Sequence, residues 1–343
     1  MHQPQSTAIE GIYEVCIGVP EPISMIQYWE QFGYRIGQVG QLSAASAYQL
    51  YGVDSYLHAI RLYHQGADHG LIRLMIWQNS TNQGLGLSSM KVKGNRWATT
   101  LTADLLGILN HVEEAKMAGW PLRYTNPYWE VIYDKEKKSR PFIDPVVGVR
   151  EMMLLQPYTR QVLFQRFGYM VPKYGQINHN AAFRTSQFTH MGIIVQDDSK
   201  EIFKFYEDVL GLLRVRDDVV TTYESSIAGR DIFDLQPGEK YIVTAFDDPR
   251  SSKSDYQQAR SGRLYIIRFP EDHRLESRFA AAQPGSLGMC LYTYRVRGIE
   301  SYFERISNSG VPSFTNIINN EFGELSFSFV APDGYFWTLV ESE

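Results

Sequence analysis

The chain has 343 residues, of which 44% are hydrophobic and 21% charged, and its formal net charge is -5. This length suffices for two domains, each with a core of its own. The charges are spread along the chain, and Glu136 interrupts the short basic run at 135–140, so we expect no nucleic-acid partner. No apolar run approaches the roughly 20 residues that span a bilayer, and no signal peptide is evident, so we expect a cytoplasmic protein without a membrane partner.

A unit made of a strand, an amphipathic helix and several further strands recurs four times, at intervals of roughly 90 to 100 residues. In the first copy, a strand at 12–19 precedes a helix that presents Met25, Tyr28, Trp29 and Phe32. In the second copy, a strand within 97–105 precedes a helix that presents Ile108, Val112 and Ala115. Closing strands are predicted at 70–77 and 149–156.

The third and fourth copies lie in the second half of the chain. In the third, a strand at 190–195 precedes a helix that carries Ile202, Phe203, Phe205, Tyr206 and Val209. In the fourth, a strand at 289–296 precedes a helix with apolar residues at i, i+3, i+4 and i+7, namely Ile299, Tyr302, Phe303 and Ile306. Closing strands are predicted at 263–269 and 336–340.

The stretch at 158–186 is aromatic and polar, and it is too apolar for a free linker. We expect it to be a connector that packs between two domains at 1–157 and 187–343, each built from two consecutive units. Cys16 and Cys290 both fall in apolar strand-like runs, which favours buried thiols over a disulfide.

Two segments carry a resemblance to a known family. Phe188-Thr-His-Met-Gly-Ile-Ile-Val195 and Phe329-Val-Ala-Pro-Asp-Gly-Tyr-Phe-Trp-Thr-Leu-Val-Glu341 resemble the first and last strands of a vicinal-oxygen-chelate domain. This is the fold of glyoxalases, bleomycin-resistance proteins and extradiol dioxygenases. The resemblance implies an α+β fold in which four βαβββ units form two tandem glyoxalase-like domains.

The resemblance also implies positions for metal ligands, on the first and last strands of the units. His190 stands at the first-strand position of the third unit, but the fourth unit has Leu291 there. The last-strand positions hold Tyr265 and Thr338. Because one His with Tyr, Leu and Thr does not make a site for a divalent ion, we expect no metal cofactor.

The same positions in the first half of the chain hold Glu14, Arg73, Thr100 and Glu151. Two inward carboxylates that face an arginine are typical of a buried ion pair, since the guanidinium already neutralises the charge that a cation would balance.

We therefore expect a small, cyclic or aromatic organic ligand, with metal-independent acid and base chemistry of the lyase or isomerase type. The candidate catalytic residues are His190, Glu14 and Glu151, and the candidate substrate-binding residues are Arg73, Tyr265, Tyr292, Trp337 and Thr338. One alternative is an extradiol-type dioxygenase with Fe2+ or Mn2+, and another is a protein that sequesters a ligand without catalysis. A homodimer stays open as an assembly state.

Overall fold

The computed structural model describes residues 8–133, 147–196, 201–270 and 274–342. The basic run at 135–140 lies outside these residues. The four repeated units predicted from the sequence are present. No helix in the described ranges is long and apolar enough to cross a membrane.

Each of the first two units begins with a long strand and a helix. The first unit comprises β1 (Ala8–Gly18), α1 (Ile23–Gln31), β2 (Tyr34–Leu42), α2 (Ala44–Tyr51), β3 (Leu57–His64) and β4 (Leu71–Trp77). The second comprises β5 (Val92–Lys93), β6 (Arg96–Thr102), α3 (Leu105–Met117), β7 (Arg123–Tyr124), β8 (Tyr128–Tyr133), β9 (Val147–Leu155) and β10 (Arg160–Phe167). Ser43 and Asp104 cap α2 and α3 by accepting hydrogen bonds from the amides of Ser46 and Gly107.

The last two units repeat this order. The third comprises β11 (Thr185–Val195), α4 (Glu201–Lys204), β12 (Leu213–Thr222), α5 (Ile227–Ile232), β13 (Lys240–Asp247) and β14 (Arg263–Arg268), with a π-helical turn after α4 at Phe205–Val209. The fourth comprises β15 (Glu276–Ser277), β16 (Gly288–Arg297), α6 (Ile299–Ser307), β17 (Ser313–Phe314), β18 (Ile318–Asn319), β19 (Leu325–Val330) and β20 (Phe336–Glu341).

The units do not pair consecutively along the chain. One sheet has the order β17-β19-β20-β16-β1-β4-β3-β2 and joins the first unit to the fourth. The other has the order β12-β13-β14-β11-β6-β10-β9-β7 and joins the second unit to the third. The expected division into 1–157 and 187–343, each of two paired units, is therefore wrong. Apolar periodicity identifies a unit, but it does not specify which unit completes the hydrogen bonds at the edge of its first strand.

The second unit closes on a strand that lies further along the chain than expected. The stretch predicted to close it is β9, which turns tightly, with Gln156 and Thr159 bonded through their backbones, into β10. The strand β10 then lies between β9 and β6. The connector expected at 158–186 is thereby shortened, because its first residues belong to β10 and its last to β11.

Each sheet contributes one face to a shared apolar core, which also receives residues from α1, α3, α4 and α6. Two tyrosines join the sheets within it. The Tyr292 hydroxyl donates to the carbonyl oxygens of Trp97 (2.7 Å) and Gly192 (3.0 Å), and the Tyr335 hydroxyl donates to that of Ile194 (2.8 Å). As expected, Cys16 and Cys290 are buried free thiols.

The opposite face of each sheet forms a cup that is partly filled by a short helix. In the outer-unit cup, formed by the first and fourth units, α2 packs Ala47, Leu50 and Tyr51 against β3 and β4. In the inner-unit cup, formed by the second and third units, α5 and the residues after it pack Ala228, Ile232 and Phe233 against β6 and β14. The part of each cup not covered in this way holds polar residues.

Candidate functional site

The outer-unit cup contains a buried network of ions centred on Glu14. Its carboxylate accepts from Arg61 Nε at 2.6 Å, forms an ion pair with Arg73, and accepts from the Thr293 hydroxyl at 2.9 Å. Both arginines and Glu14 are fully buried. The ion pair expected between Glu14 and Arg73 is present, but Glu151 is not part of it, because Glu151 lies in the other sheet.

A turn from the fourth unit closes this network. Glu324 pairs with Arg61 through both carboxylate oxygens (3.0 and 2.7 Å), and Glu321 pairs with Arg73 at 3.0 Å. The Phe322 ring centre lies 4.1 Å from the guanidinium carbon of Arg61. Gly40 allows this approach, since a Cβ there would lie 1.9 Å from the Glu321 carbonyl oxygen. The polar part of the outer-unit cup is therefore filled by the protein's own side chains.

Electrostatics make Glu14 unsuitable as a base. Burial raises the pKa of Glu14, but the charges of Arg61 and Arg73 outweigh burial and lower it to about 2. Glu14 is thus a permanent anion held by two cations. Thr338, predicted to bind substrate, lies 2.7 Å from the Ser328 hydroxyl and is fully buried.

Tyr292 and Trp337 do not line a cup, contrary to the prediction. They are paired across β16 and β20, as are Thr293 and Thr338 one residue further on. Because successive side chains of a strand point to opposite faces, the two threonines face the cup and the two aromatic residues face the shared core. Both aromatic side chains are completely buried there.

In the inner-unit cup, three residues predicted separately from the sequence lie on one face of the sheet. Glu151 on β9 pairs with Phe164 on β10, and the Phe164 ring centre is 5.5 Å from that of His190 on β11. The His190 ring is 5.0 Å from the ring of Tyr265 on β14. Glu151, His190 and Tyr265 are each only partly buried, so a ligand can reach this face.

The neighbours of His190 fix its tautomer. The Thr189 hydroxyl donates its one hydrogen to the Thr99 carbonyl oxygen at 3.1 Å, and it also lies 3.1 Å from His190 Nδ1. Nδ1 must then be the donor to the Thr189 oxygen, which leaves the lone pair on Nε2. No group in the described part of the chain bonds to Nε2. Nε2 is thus available as a proton acceptor.

The segment before β11 completes the wall around His190. The Tyr174 ring centre lies 5.9 Å from that of His190. Gly175 follows with φ 94°, and a Cβ there would lie 2.7 Å from Thr189 Cγ2. A residue with a side chain could not pass so close to β11 in this conformation.

Burial and charge set the protonation states of this face. Burial, followed by the charges of Arg263, Arg166 and Arg216, holds the pKa of His190 well below its ordinary value, so the imidazole is neutral. Burial and then repulsion from Glu130 raise the pKa of Glu151 to about 7, against the opposing charge of Arg216.

Tyr265 is shifted in the opposite direction to other buried tyrosines. Burial raises the pKa of its hydroxyl, but the charges of Arg216 and Arg263 outweigh burial and bring the pKa below its ordinary value. Arg263 donates to that hydroxyl at 3.3 Å and is itself paired with Asp247. The face therefore presents a neutral base, a carboxyl group that titrates near neutrality, and a phenol whose anion is stabilised.

The residues of neither cup fit the divalent ion that this fold binds in other proteins. Thr99 lies opposite His190 on the neighbouring strand, where it supplies no ligand of the kind that such an ion prefers. The positive charges of Arg166, Arg216 and Arg263 act on His190 and would repel a cation there. In the outer-unit cup, arginines already occupy the oxygens of Glu14. Among the described residues, no group of three or more His, Cys, Asp or Glu could hold a metal.

Sequence reasoning missed four residues of the inner-unit face: Phe164, Arg166, Tyr174 and Arg216. The first three lie in the stretch interpreted as connector. The alternation of Val162, Phe164 and Arg166 was a signal for β10 that could have been used. No comparable pattern marks Arg216.

No family model matches the chain, and no curated protein matches its sequence. Solved structures do match over nearly the whole chain. Glyoxalase I from Zea mays superposes with a TM-score of 0.52 at 12% identity, covering 98% of this chain and 93% of that one. A "putative dioxygenase" from Bacillus subtilis superposes with a TM-score of 0.55 at 12% identity, covering 97% and 86%. The likeness confirms the predicted α+β fold with tandem domains, and at these identities it shows the fold alone.

Proposed function

We propose that this chain, which has the two-domain glyoxalase-like fold, binds a small cyclic or aromatic organic molecule in the inner-unit cup and transforms it without a metal. The observation that supports this most is the convergence of His190, Glu151 and Tyr265 on one partly exposed face of the sheet. A titratable cluster with perturbed pKa values is a candidate for acid and base catalysis.

Each of the three residues has a role in the proposed chemistry. His190 Nε2 takes a proton from the substrate, since it is neutral and carries the free lone pair. Its lowered pKa makes it a weak base, so the proposed substrate proton is an acidic one. Glu151 returns a proton, because its pKa of about 7 leaves it partly protonated near neutrality. Tyr265 donates a hydrogen bond to the negative charge that develops after proton removal. Transfer of a proton between two positions of one molecule is isomerase chemistry. If the substrate instead carries a leaving group on the neighbouring carbon, the electron pair left by the proton forms a double bond, the leaving group departs with protonation by Glu151, and the reaction is that of a lyase.

Aromatic rings favour a flat ligand. Phe164, Tyr174 and Tyr265 surround His190 at ring-centre distances of 5.5, 5.9 and 5.0 Å. Aromatic rings pack well against other rings in offset or edge-to-face arrangements. The proposed ligand is thus held by apolar contacts beside the groups that move the proton.

Ligand-observed NMR with a library of monocyclic aromatic and alicyclic compounds tests the proposal. Each compound that binds is then incubated with the protein and followed by mass spectrometry and by deuterium exchange from solvent. We expect the His190→Gln variant to lose turnover and exchange, whereas His111→Gln, on the exposed face of α3, leaves both unchanged. Binding without either reaction would support the sequestering function instead.

Metal analysis tests the metal-independent part separately. Protein purified without chelator is measured by plasma mass spectrometry beside the His190→Ala variant. Near-stoichiometric iron or manganese that disappears in the variant would overturn the proposal and favour the dioxygenase alternative.

A further inference from the structure

Two arginines of the inner-unit cup, Arg166 and Arg216, form no ion pair with any carboxylate among the described residues. The buried arginines of the described chain are all paired: Arg61 and Arg73 with Glu14, Arg268 with Asp218, and Arg96 and Arg160 with backbone carbonyl oxygens. Arg166 is half-buried and Arg216 is exposed, so both can reach a ligand. Both are close enough to His190 for their charges to lower its pKa.

Aromatic rings hold Arg166 in place. Its guanidinium carbon lies 5.3, 5.6 and 5.2 Å from the ring centres of Phe164, Tyr169 and Tyr174. Its Nε is buried and has no hydrogen-bond partner. The Arg166 guanidinium also hydrogen-bonds with the Tyr169 hydroxyl. Its other N–H groups remain available, and a guanidinium has the geometry that binds a carboxylate through two hydrogen bonds.

An irregular strand directs Arg216 toward the same face. The pairing of β12 with β13 shifts register on both sides of Arg216, between Arg214 and Arg216 and again between Arg216 and Val219. Within the second shift, Asp218 has φ 52°. Such bulges are known to redirect a side chain beside a functional site. The Arg216 guanidinium carbon lies 5.9 Å from the ring centre of Tyr265.

The outer-unit cup shows what two inward arginines require in this fold. There, Arg61 and Arg73 are neutralised by Glu14, Glu321 and Glu324, two of which come from the turn that closes the cup. In the inner-unit cup, Arg263 forms an ion pair with Asp247. The charge of Arg216 lowers the pKa of Glu151 without forming an ion pair with it. The positive charges of Arg166 and Arg216 both act on His190 and repel each other, and an anion bound between them would relieve this repulsion.

Building on the function proposed for this cup, we infer that its ligand is a cyclic or aromatic carboxylate whose carboxylate group is bound by Arg166 and Arg216. Of the three aromatic rings around His190, Phe164 and Tyr174 are buried, and Tyr265 keeps some exposure. The ligand ring lies against Tyr265, which places the ligand carbon next to the carboxylate near His190 Nε2. Where that carbon carries a hydrogen, as in cyclohexanecarboxylate but not in benzoate, the cationic groups beside the carboxylate also stabilise the additional negative charge that follows removal of the proton.

Matched pairs of carboxylate and neutral amide test this inference. Benzoate with benzamide, 4-hydroxybenzoate with 4-hydroxybenzamide, and cyclohexanecarboxylate with its amide are titrated by NMR at low and high salt. We expect each carboxylate to bind more tightly than its amide, and this preference to shrink at high salt. The Arg216→Gln and Arg166→Met variants should each lower the ratio of carboxylate affinity to amide affinity about tenfold or more.

Arg184→Gln is the matched control, since Arg184 is an exposed arginine paired with Asp104, which caps α3 on the shared-core side of the sheet. This variant should bind every probe as wild type does. Arg216 is exposed, so its variant should fold normally even if Arg166→Met does not. Equal binding of carboxylates and amides, or variants without effect, overturns the inference. If the amides alone bind and binding depends on His190, the proposed function stands without the anion site. If no probe of either class binds, both are refuted.

Discussion

Removal of the Glu14 charge tests the view that the outer-unit cup is structural. In Glu14→Gln, Arg61 and Arg73 lose the anion between them, although Glu321 and Glu324 remain. Removing one partner of a buried ion pair costs about 3–5 kcal/mol of unfolding free energy. The pKa gives a similar figure: lowering it from 4.5 to about 2 corresponds to about 3 kcal/mol at 1.36 kcal/mol per pH unit. We expect a loss of about 3 kcal/mol at pH 7.

The sign of the pH dependence follows from the same shift. Because the pKa of Glu14 is lower in the folded than in the unfolded protein, its contribution is fully present above about pH 4.5 and is lost as the pH falls toward 2. Urea unfolding of wild type and Glu14→Gln should therefore differ by about 3 kcal/mol at pH 7 and converge toward pH 2. The control is Glu113→Gln on the exposed side of α3. A difference below about 1 kcal/mol at pH 7, the size of a surface ion pair, would refute the structural role.

Three further changes address other parts of the molecule. In NMR titrations with labelled carboxyl carbons, Glu151 should titrate near pH 7. The Arg216→Gln variant should raise this midpoint, because it removes a charge that lowers the Glu151 pKa. A midpoint near 4.5 in wild type would contradict the buried environment assigned to Glu151. Gly40→Ala should lower the thermal midpoint, because its Cβ would clash with the Glu321 carbonyl oxygen, and an unchanged midpoint would show that the turn moves freely. Tyr292→Phe should cost about 1–2 kcal/mol in urea unfolding and leave ligand binding in the inner-unit cup unchanged; altered binding would mean that the core between the sheets is coupled to the site.

Sequence patterns predicted the units well because each unit buries its own apolar faces. The helix face of Ile299, Tyr302 and Ile306 is buried as its spacing indicated, and three of the four closing strands lie where they were expected. The strand β10 was missed because it follows β9 after a short turn, so the two strands looked like one strand and a connector. Pairing between units depends on contacts between residues far apart in sequence, such as Glu14 with Thr293, and no local pattern records these.

The composition of the candidate site also depends on pairing between units, which the sequence does not show. His190, Glu151 and Tyr265 were each identified from strand positions, but consecutive pairing placed Glu151 with Glu14 and not with His190. The structure brings Glu151 to the His190 cup because β9 and β11 belong to one sheet. The alternation that marks β10 could have placed Arg166, but Arg216 had no signal of its own, since the sequence does not show which arginines approach a site once the chain has folded.

The two cups show how one fold supports different roles. In the outer-unit cup, Glu321 and Glu324 satisfy the inward arginines, and this network ties the first unit to the last. The inner-unit cup has no equivalent turn with carboxylates among its described residues, and its polar face stays partly exposed. Self-neutralisation adds stability but removes the space in which a ligand could bind. The filled outer-unit cup can therefore join the first unit to the fourth, while the inner-unit cup, whose described polar face is partly exposed, holds the acid and base groups.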